Sequence, residues 1–149
     1  KTIFNNAVPS GNGIMVEVLA RLFYVRGDSS YRERAKKLVH AFTGQSPEYM
    51  ANSPTFLNGY EFLEGARQIV IVGDPEAEAT NELVRAAFAG GLANRVVVRL
   101  APRTDLPTTH PAAGKGLVDG KPAAYVCIGP TCGLPVTDGA ALQKVLGAE

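Results

Sequence analysis

The 149-residue chain is 46% hydrophobic with a formal net charge of +1, enough apolar side chain for one ordinary domain or two small units sharing a core. The densest basic stretch, RERAKK at residues 32–37, reads as the solvated face of a helix, and no basic stripe with interleaved aromatics marks a nucleic-acid surface. No segment is long and apolar enough to span a bilayer, and no signal-peptide pattern opens the chain, so a membrane location is not expected. Two cysteines, Cys127 and Cys132, are too few to staple a small secreted domain, so a reducing, cytoplasmic setting is the expectation. The chain opens on Lys1 rather than Met, which reads as a piece excised from a longer protein.

The first half is helical in pattern. After Ser10, Gly11 and Asn12, the residues Ile14, Met15, Val18, Leu19, Leu22 and Val25 recur at the spacing of one helix face. Glu17, Arg21, Tyr24 and Asp28 line the opposite stripe, and Gly27 suits a left-handed cap. Ser30 followed three residues later by Glu33 matches a capping box for a second helix. Its buried stripe is predicted as Tyr31, Ala35, Leu38, Val39 and Phe42, and Gly44 closes it. The two helices form an antiparallel hairpin with a very short connection. A third helical run follows Ser46 and Pro47 through Met50, Leu57, Phe62 and Leu63 to Gly65, interrupted or restarted at Ser53-Pro54.

The period changes after Gly65. QIVIVG at 68–73 is a β-branched run suited to a strand covered on both faces. Asp74, Pro75 and Glu76 then read as N-cap, first-turn proline and first-turn acid of a helix carrying Ala79, Leu83, Val84, Ala87 and Phe88. RVVVRL at 95–100 is a second strand, so this strand–helix–strand unit predicts a parallel pair with a right-handed crossover. Residues 101–121 are loop-like, AAYVCI at 123–128 is a third strand, and Thr137-Asp138 can cap a last helix carrying Leu142, Val145 and Leu146. The expected organisation is a helical segment at 1–65 and a small, three-stranded, mainly parallel α/β unit at 66–149, an α+β or α/β fold class.

Chemistry-bearing residues are sparse. VIVGDP at 70–75 resembles the first strand and turn of a nucleotide-binding unit but lacks the glycine-rich turn, and Asp74 and Pro75 disfavour an anion there. Gly114-Lys115-Gly116 is only part of a phosphate loop, so no cofactor is expected. Cys127 and Cys132 have four residues between them, unlike a thioredoxin-type pair, and no further ligands of a metal site lie near them in sequence. The simplest reading is a buried strand thiol at Cys127 and a loop thiol at Cys132. A bridge or redox role is the alternative if their Cα atoms approach. His110, in a Thr-Thr-His-Pro loop, reads as solvated. The pairs Glu61/Glu64 and Glu76/Glu78 carry no assignable acid/base role. NNAVPSGNG at 5–13 reads either as a loop ending in an N-cap on Ser10 or Asn12, or as polar donors presented toward a cleft.

Pro9-Ser10-Gly11-Asn12 opening a helix, the Gly27-Asp28 corner followed by Tyr31, VIVGD at 70–74, VDGKPAAYVC at 118–127 and LPVTD at 134–138 together resemble the C-terminal end of one family, over nearly the whole chain. That family is the thioredoxin-domain-containing proteins related to spermatogenesis-associated protein 20. The resemblance implies an N-terminal thioredoxin-like domain and an α/α toroid similar to six-hairpin glycosidases and sugar epimerases, of which residues 1–65 would be the terminal helices. It also implies that Asn5, Ser10 and Asn12 lie at the rim of the toroid cavity, with a carbohydrate as the ligand of the intact protein. The family often carries an aspartate where Asn5 stands, and the amide argues against an acid/base role there. The expected role of this chain is a structural and interaction part without a complete catalytic set. Its expected partners are the rest of the parent chain or, in isolation, a second copy. The alternatives are a part in carbohydrate processing and a thiol redox role through Cys127 and Cys132.

Overall fold

The structure is a computed structural model that describes residues 2–45 and 47–147, in two compact units, Lys1–Ala66 and Arg67–Glu149. It is a mixed α and β fold with helices in both units and a sheet in the second.

The first unit holds α1 (Gly11–Arg26), α2 (Ser29–His40), α3 (Pro47–Ala51) and α4 (Pro54–Gly65). Ser10 caps α1 by accepting from the Gly13 amide at 3.3 Å, and Gly27, at φ 70°, ends it in the left-handed conformation. The connection to α2 is as short as the sequence suggests, but its cap differs. Asp28, in an extended conformation, accepts from the Ser30 amide at 2.9 Å, so the helix starts one residue before the expected capping serine. The Ser53-Pro54 break separates α3 from α4, with the proline in the first turn of α4, where its missing amide costs nothing.

The buried face of α1 is the main departure from the periodicity. Gly13, Val16, Leu19, Ala20 and Tyr24 are buried, whereas Ile14, Met15, Val18 and Val25 are 44%, 48%, 41% and 58% exposed. The reason is a close approach of two backbones. A Cβ on Gly13 would lie 2.6 Å from the Phe56 nitrogen, and one on Gly59 would lie 2.7 Å from the Gly13 carbonyl oxygen. Small residues therefore select the face that meets α4, and larger apolar residues are left on the other side. Around this crossing, Tyr24 packs edge-on to Phe62 with centroids 6.5 Å apart, and Phe42 packs edge-on to Phe56 at 5.6 Å. Burial pushes the Tyr24 hydroxyl above its ordinary pKa, with Arg32 pulling it down and Glu64 adding to the rise.

The second unit runs β1 (Arg67–Val72), α5 (Glu78–Phe88), β2 (Arg95–Leu100), β3 (Ala123–Ile128), β4 (Thr131–Cys132) and α6 (Gly139–Gly147). Its sheet has four strands in the order β2-β1-β3-β4. β1 and β2 are parallel, with Ile69 opposite Val97, as the strand–helix–strand pattern predicts. β3, however, is antiparallel to β1, with Val70 opposite Tyr125, and β4 is antiparallel to β3. The expected three-stranded, mainly parallel unit is thus a four-stranded mixed sheet. The segment between β2 and β3 contains no helix to carry a crossover, so the chain returns beside β1 in the reverse direction.

β1 is apolar throughout because both of its faces are covered. Ile69 and Ile71 pack with Leu83, Ala87, Ala124 and Leu142 on the helix side. Val70 and Val72 pack with Ala112, Leu106 and Tyr125, so the long segment between β2 and β3 closes the other face. Two further expectations in this unit are corrected. Asp74 does not cap α5: its carboxylate accepts from the Glu76 amide at 3.0 Å in a turn, and α5 begins at Glu78 after an Ala77 cap that makes no side-chain bond. His110 is not solvated but 6% exposed, its Nδ1 accepting from the Ala112 amide at 3.0 Å and closing the turn that brings Ala112 onto the sheet. Asp138 does cap α6, accepting from the Ala141 amide at 2.8 Å. Among the described residues no helix is long and apolar enough to cross a membrane.

Candidate functional site

At the helix start carrying Asn5, Ser10 and Asn12, each side chain makes one hydrogen bond within the first unit. Ser10 is 5% exposed and its hydroxyl oxygen is engaged by the α1 cap. The Asn12 amide donates to the Thr2 carbonyl at 2.6 Å, tying the N-terminal segment to the helix. The Asn5 side-chain amide donates to the Thr55 hydroxyl, bridging the segment to the first turn of α4, while its own Oδ1 is buried without a partner. The three residues therefore brace one local junction. The glycines flanking Asn12 are explained in part by packing, since Gly13 is the residue that lets α1 lie against α4.

Cys127 and Cys132 form the second candidate. They stand directly opposite each other in the β3–β4 ladder and are joined by a disulfide, with Cα atoms 4.0 Å apart. This replaces the reading of two independent thiols. Ile128 and Thr131 form the neighbouring pair, and Gly129, at φ 55°, supplies the left-handed residue of the tight turn between them. The spacing of four residues was the available signal: it is the length of a two-residue hairpin turn plus one strand pair. Cys127 is 2% exposed, whereas Cys132 lies on the exposed edge strand.

A cleft of about 550 Å³ escaped the sequence reading. Arg67 and Arg95, paired across β1 and β2, line it together with Ala86, Leu92, Gln143 and Leu146. Arg67 donates to the Leu146 carbonyl at 3.3 Å and Arg95 to the Gly90 carbonyl at 2.8 Å. Each guanidinium thus serves a carbonyl at the end of α6 or just beyond α5, where the helix dipoles favour a cation. Nearby chemistry on the other side of the sheet is similarly internal. Lys115 donates to the Pro111 carbonyl at 3.1 Å, and burial pulls its ammonium below the usual lysine range. Among the described residues, no group of His, Cys, Asp or Glu side chains could hold a metal ion.

Comparison with known proteins places this local geometry in a larger frame. No protein-family model and no solved structure matches the chain. It is 26% identical over 146 residues to human spermatogenesis-associated protein 20, covering 95% of this chain and 19% of that protein. The rat protein of the same name is 25% identical over 146 residues, again covering 95% of this chain and 18% of the relative. An uncharacterized protein of Caenorhabditis elegans is 30% identical over 139 residues, 89% of this chain and 18% of the relative. The chain spans about a fifth of the length of the curated relatives it matches. Along nearly its whole length, then, this chain is homologous to a short stretch of spermatogenesis-associated protein 20.

Proposed function

We propose that this chain is the C-terminal structural and interaction part of a larger thioredoxin-domain-containing protein, supplying the last helices of an α/α toroid and a small α/β unit that follows them. The observation that carries this reading is the apolar stripe of α1. Ile14, Met15, Val18 and Val25 are all at least two-fifths exposed on the side of the helix away from its glycine-mediated packing. A helix that is apolar on two sides is suited to being covered on both. Exposed apolar surface arranged in one stripe marks an interaction surface rather than a solvated one. The relatives' much greater length supplies an occupant, a further segment of the same polypeptide.

The reading has a direct consequence for the isolated chain. With its natural cover missing, the stripe is expected to drive self-association, so that sedimentation of residues 1–149 is expected to show a dimer fraction that grows with concentration. Val18→Glu, at an exposed position, restores the monomer without changing the circular dichroism spectrum. A clean monomer at high concentration, or a dimer unmoved by Val18→Glu, overturns the reading. A sugar-binding role for the whole protein gains no observation from Ser10 and Asn12, because the first caps α1 and the second holds the Thr2 carbonyl.

A further inference from the structure

The Cys127–Cys132 bridge is not needed to hold the strand pair it joins. It encloses only four residues, so it removes little chain entropy from the unfolded state. The hairpin has independent supports on the side away from the turn: the Gly133 amide donates to the Val126 carbonyl at 2.9 Å, and Ala124 and Val136 exchange two bonds at 2.8 and 3.0 Å. The two sulfurs also differ in surroundings. Cys132 lies on an exposed two-residue edge strand, while Cys127 is 2% exposed within the sheet.

Across from Cys127 on β1 stands Gln68, paired with it in the antiparallel register. Side chains directly opposite in such a ladder have Cβ atoms about 5 Å apart. Gln68 is 2% exposed, and its side-chain nitrogen meets no acceptor. A buried amide donor left unpaired is unfavourable, and a thiolate at Cys127 would supply the missing acceptor. A disulfide sulfur is a poor acceptor by comparison, so this arrangement favours the opened state at one sulfur in particular.

We propose that Cys127 and Cys132 form an exchangeable dithiol–disulfide couple, opened by an external thiolate at Cys132 with Cys127 as the leaving sulfur held by Gln68. The thiolate of the reductant attacks the Cys132 sulfur, forming a mixed disulfide there. The Cys127–Cys132 bond breaks, and its electron pair goes to Cys127. A second thiolate of the reductant attacks the reductant sulfur of the mixed disulfide, releases the reductant as its own disulfide and leaves Cys132 as a thiolate. Both protein thiolates then take up protons according to their pKa values. Two thiols are oxidised and one protein disulfide is reduced, and the reverse sequence closes the bridge. Leu134, 91% exposed and two residues beyond Cys132, is an apolar side chain that a thiol carried on a protein can use and a small hydrophilic thiol cannot.

The test uses the whole chain, equilibrated with reduced and oxidised glutathione in one arm and with a protein dithiol in the other. Thiol alkylation followed by mass spectrometry reads the state of the pair. The expected result is complete, reversible opening with an unchanged circular dichroism spectrum. Faster opening in the protein arm assigns the natural donor to a protein, and faster opening by glutathione assigns it to a small thiol. The single-cysteine variants give the direction of attack: with oxidised glutathione, Cys127→Ser forms the mixed disulfide on Cys132 at least about tenfold faster than Cys132→Ser forms it on Cys127. In Cys132→Ser, adding Gln68→Met raises the pH at which Cys127 ionises, read by its ultraviolet thiolate absorbance. A bridge that resists excess reductant in the folded state, unfolding on reduction, equal reactivity of the two cysteines, or no shift from Gln68→Met each overturns the proposal.

Discussion

Gly13 shows how a single residue type can decide which face of a helix is buried. Alanine is the better helix former by about 1 kcal/mol, and in an open helix Gly→Ala stabilises. Here the added Cβ would lie 2.6 Å from the Phe56 backbone nitrogen, a contact that only a backbone shift can relieve. Overpacking of that kind costs about 1–3 kcal/mol, so the clash outweighs the propensity. Gly13→Ala is expected to lower the denaturant midpoint, and an unchanged or raised midpoint would mean that α1 and α4 do not approach so closely. Ser10→Ala removes the cap of the same helix and is expected to cost about 1 kcal/mol in chemical denaturation.

Asp28 offers a pH-dependent check on the next cap. The Ser30 amide, and after it the Ser30 hydroxyl, hold its carboxyl below the ordinary aspartate value. A carboxyl with a depressed folded pKa contributes stability above its unfolded pKa and loses it as pH falls through the folded one. The melting temperature of Asp28→Ala is therefore expected to lie below wild type at neutral pH. The gap closes below about pH 4, near the unfolded aspartate value, whereas a gap that persists in acid would remove the cap from the account.

At the scale of elements, much of the fold was legible. The helix ends at Gly27 and Asp138, the break at Ser53-Pro54, and the strands β1, β2 and β3 all follow from turn chemistry and period. Two things were not legible for physical reasons. Periodicity weighs side chains by hydrophobicity, so it chose the Ile14, Met15, Val18 stripe of α1, while backbone proximity chose the side bearing Gly13 and Ala20. The direction of β3 depends on how the segment after β2 travels, and a run of turns and prolines does not state its path. The brace formed by Asn5, Ser10 and Asn12 was legible only as a cluster of polar side chains, because its partners Thr2 and Thr55 come from outside the motif.

The β3–β4 hairpin gives the energetic prediction at this scale. A bridge closing so short a loop contributes at most about 2 kcal/mol by chain entropy. The double change Cys127→Ser with Cys132→Ser is accordingly expected to fold cooperatively, with a denaturation free energy lower by no more than about that amount. Loss of cooperative folding would make the bridge a structural requirement.

For the whole molecule, the chain has two compact units of its own but an apolar stripe on α1 larger than a self-sufficient helix needs. Its relatives extend far beyond the matched stretch, and the proposed role follows from joining these two observations. The most direct measurement is amide hydrogen exchange across α1, comparing residues 1–149 as a monomeric Val18→Glu chain with the full-length natural protein carrying the same substitution and with full-length wild type. α1 is expected to exchange slowly in full-length wild type and markedly faster in the isolated chain, with the full-length variant in between because the introduced charge disturbs the covering segment. Equal exchange of α1 in all three would contradict it, since the stripe would then have no cover to lose.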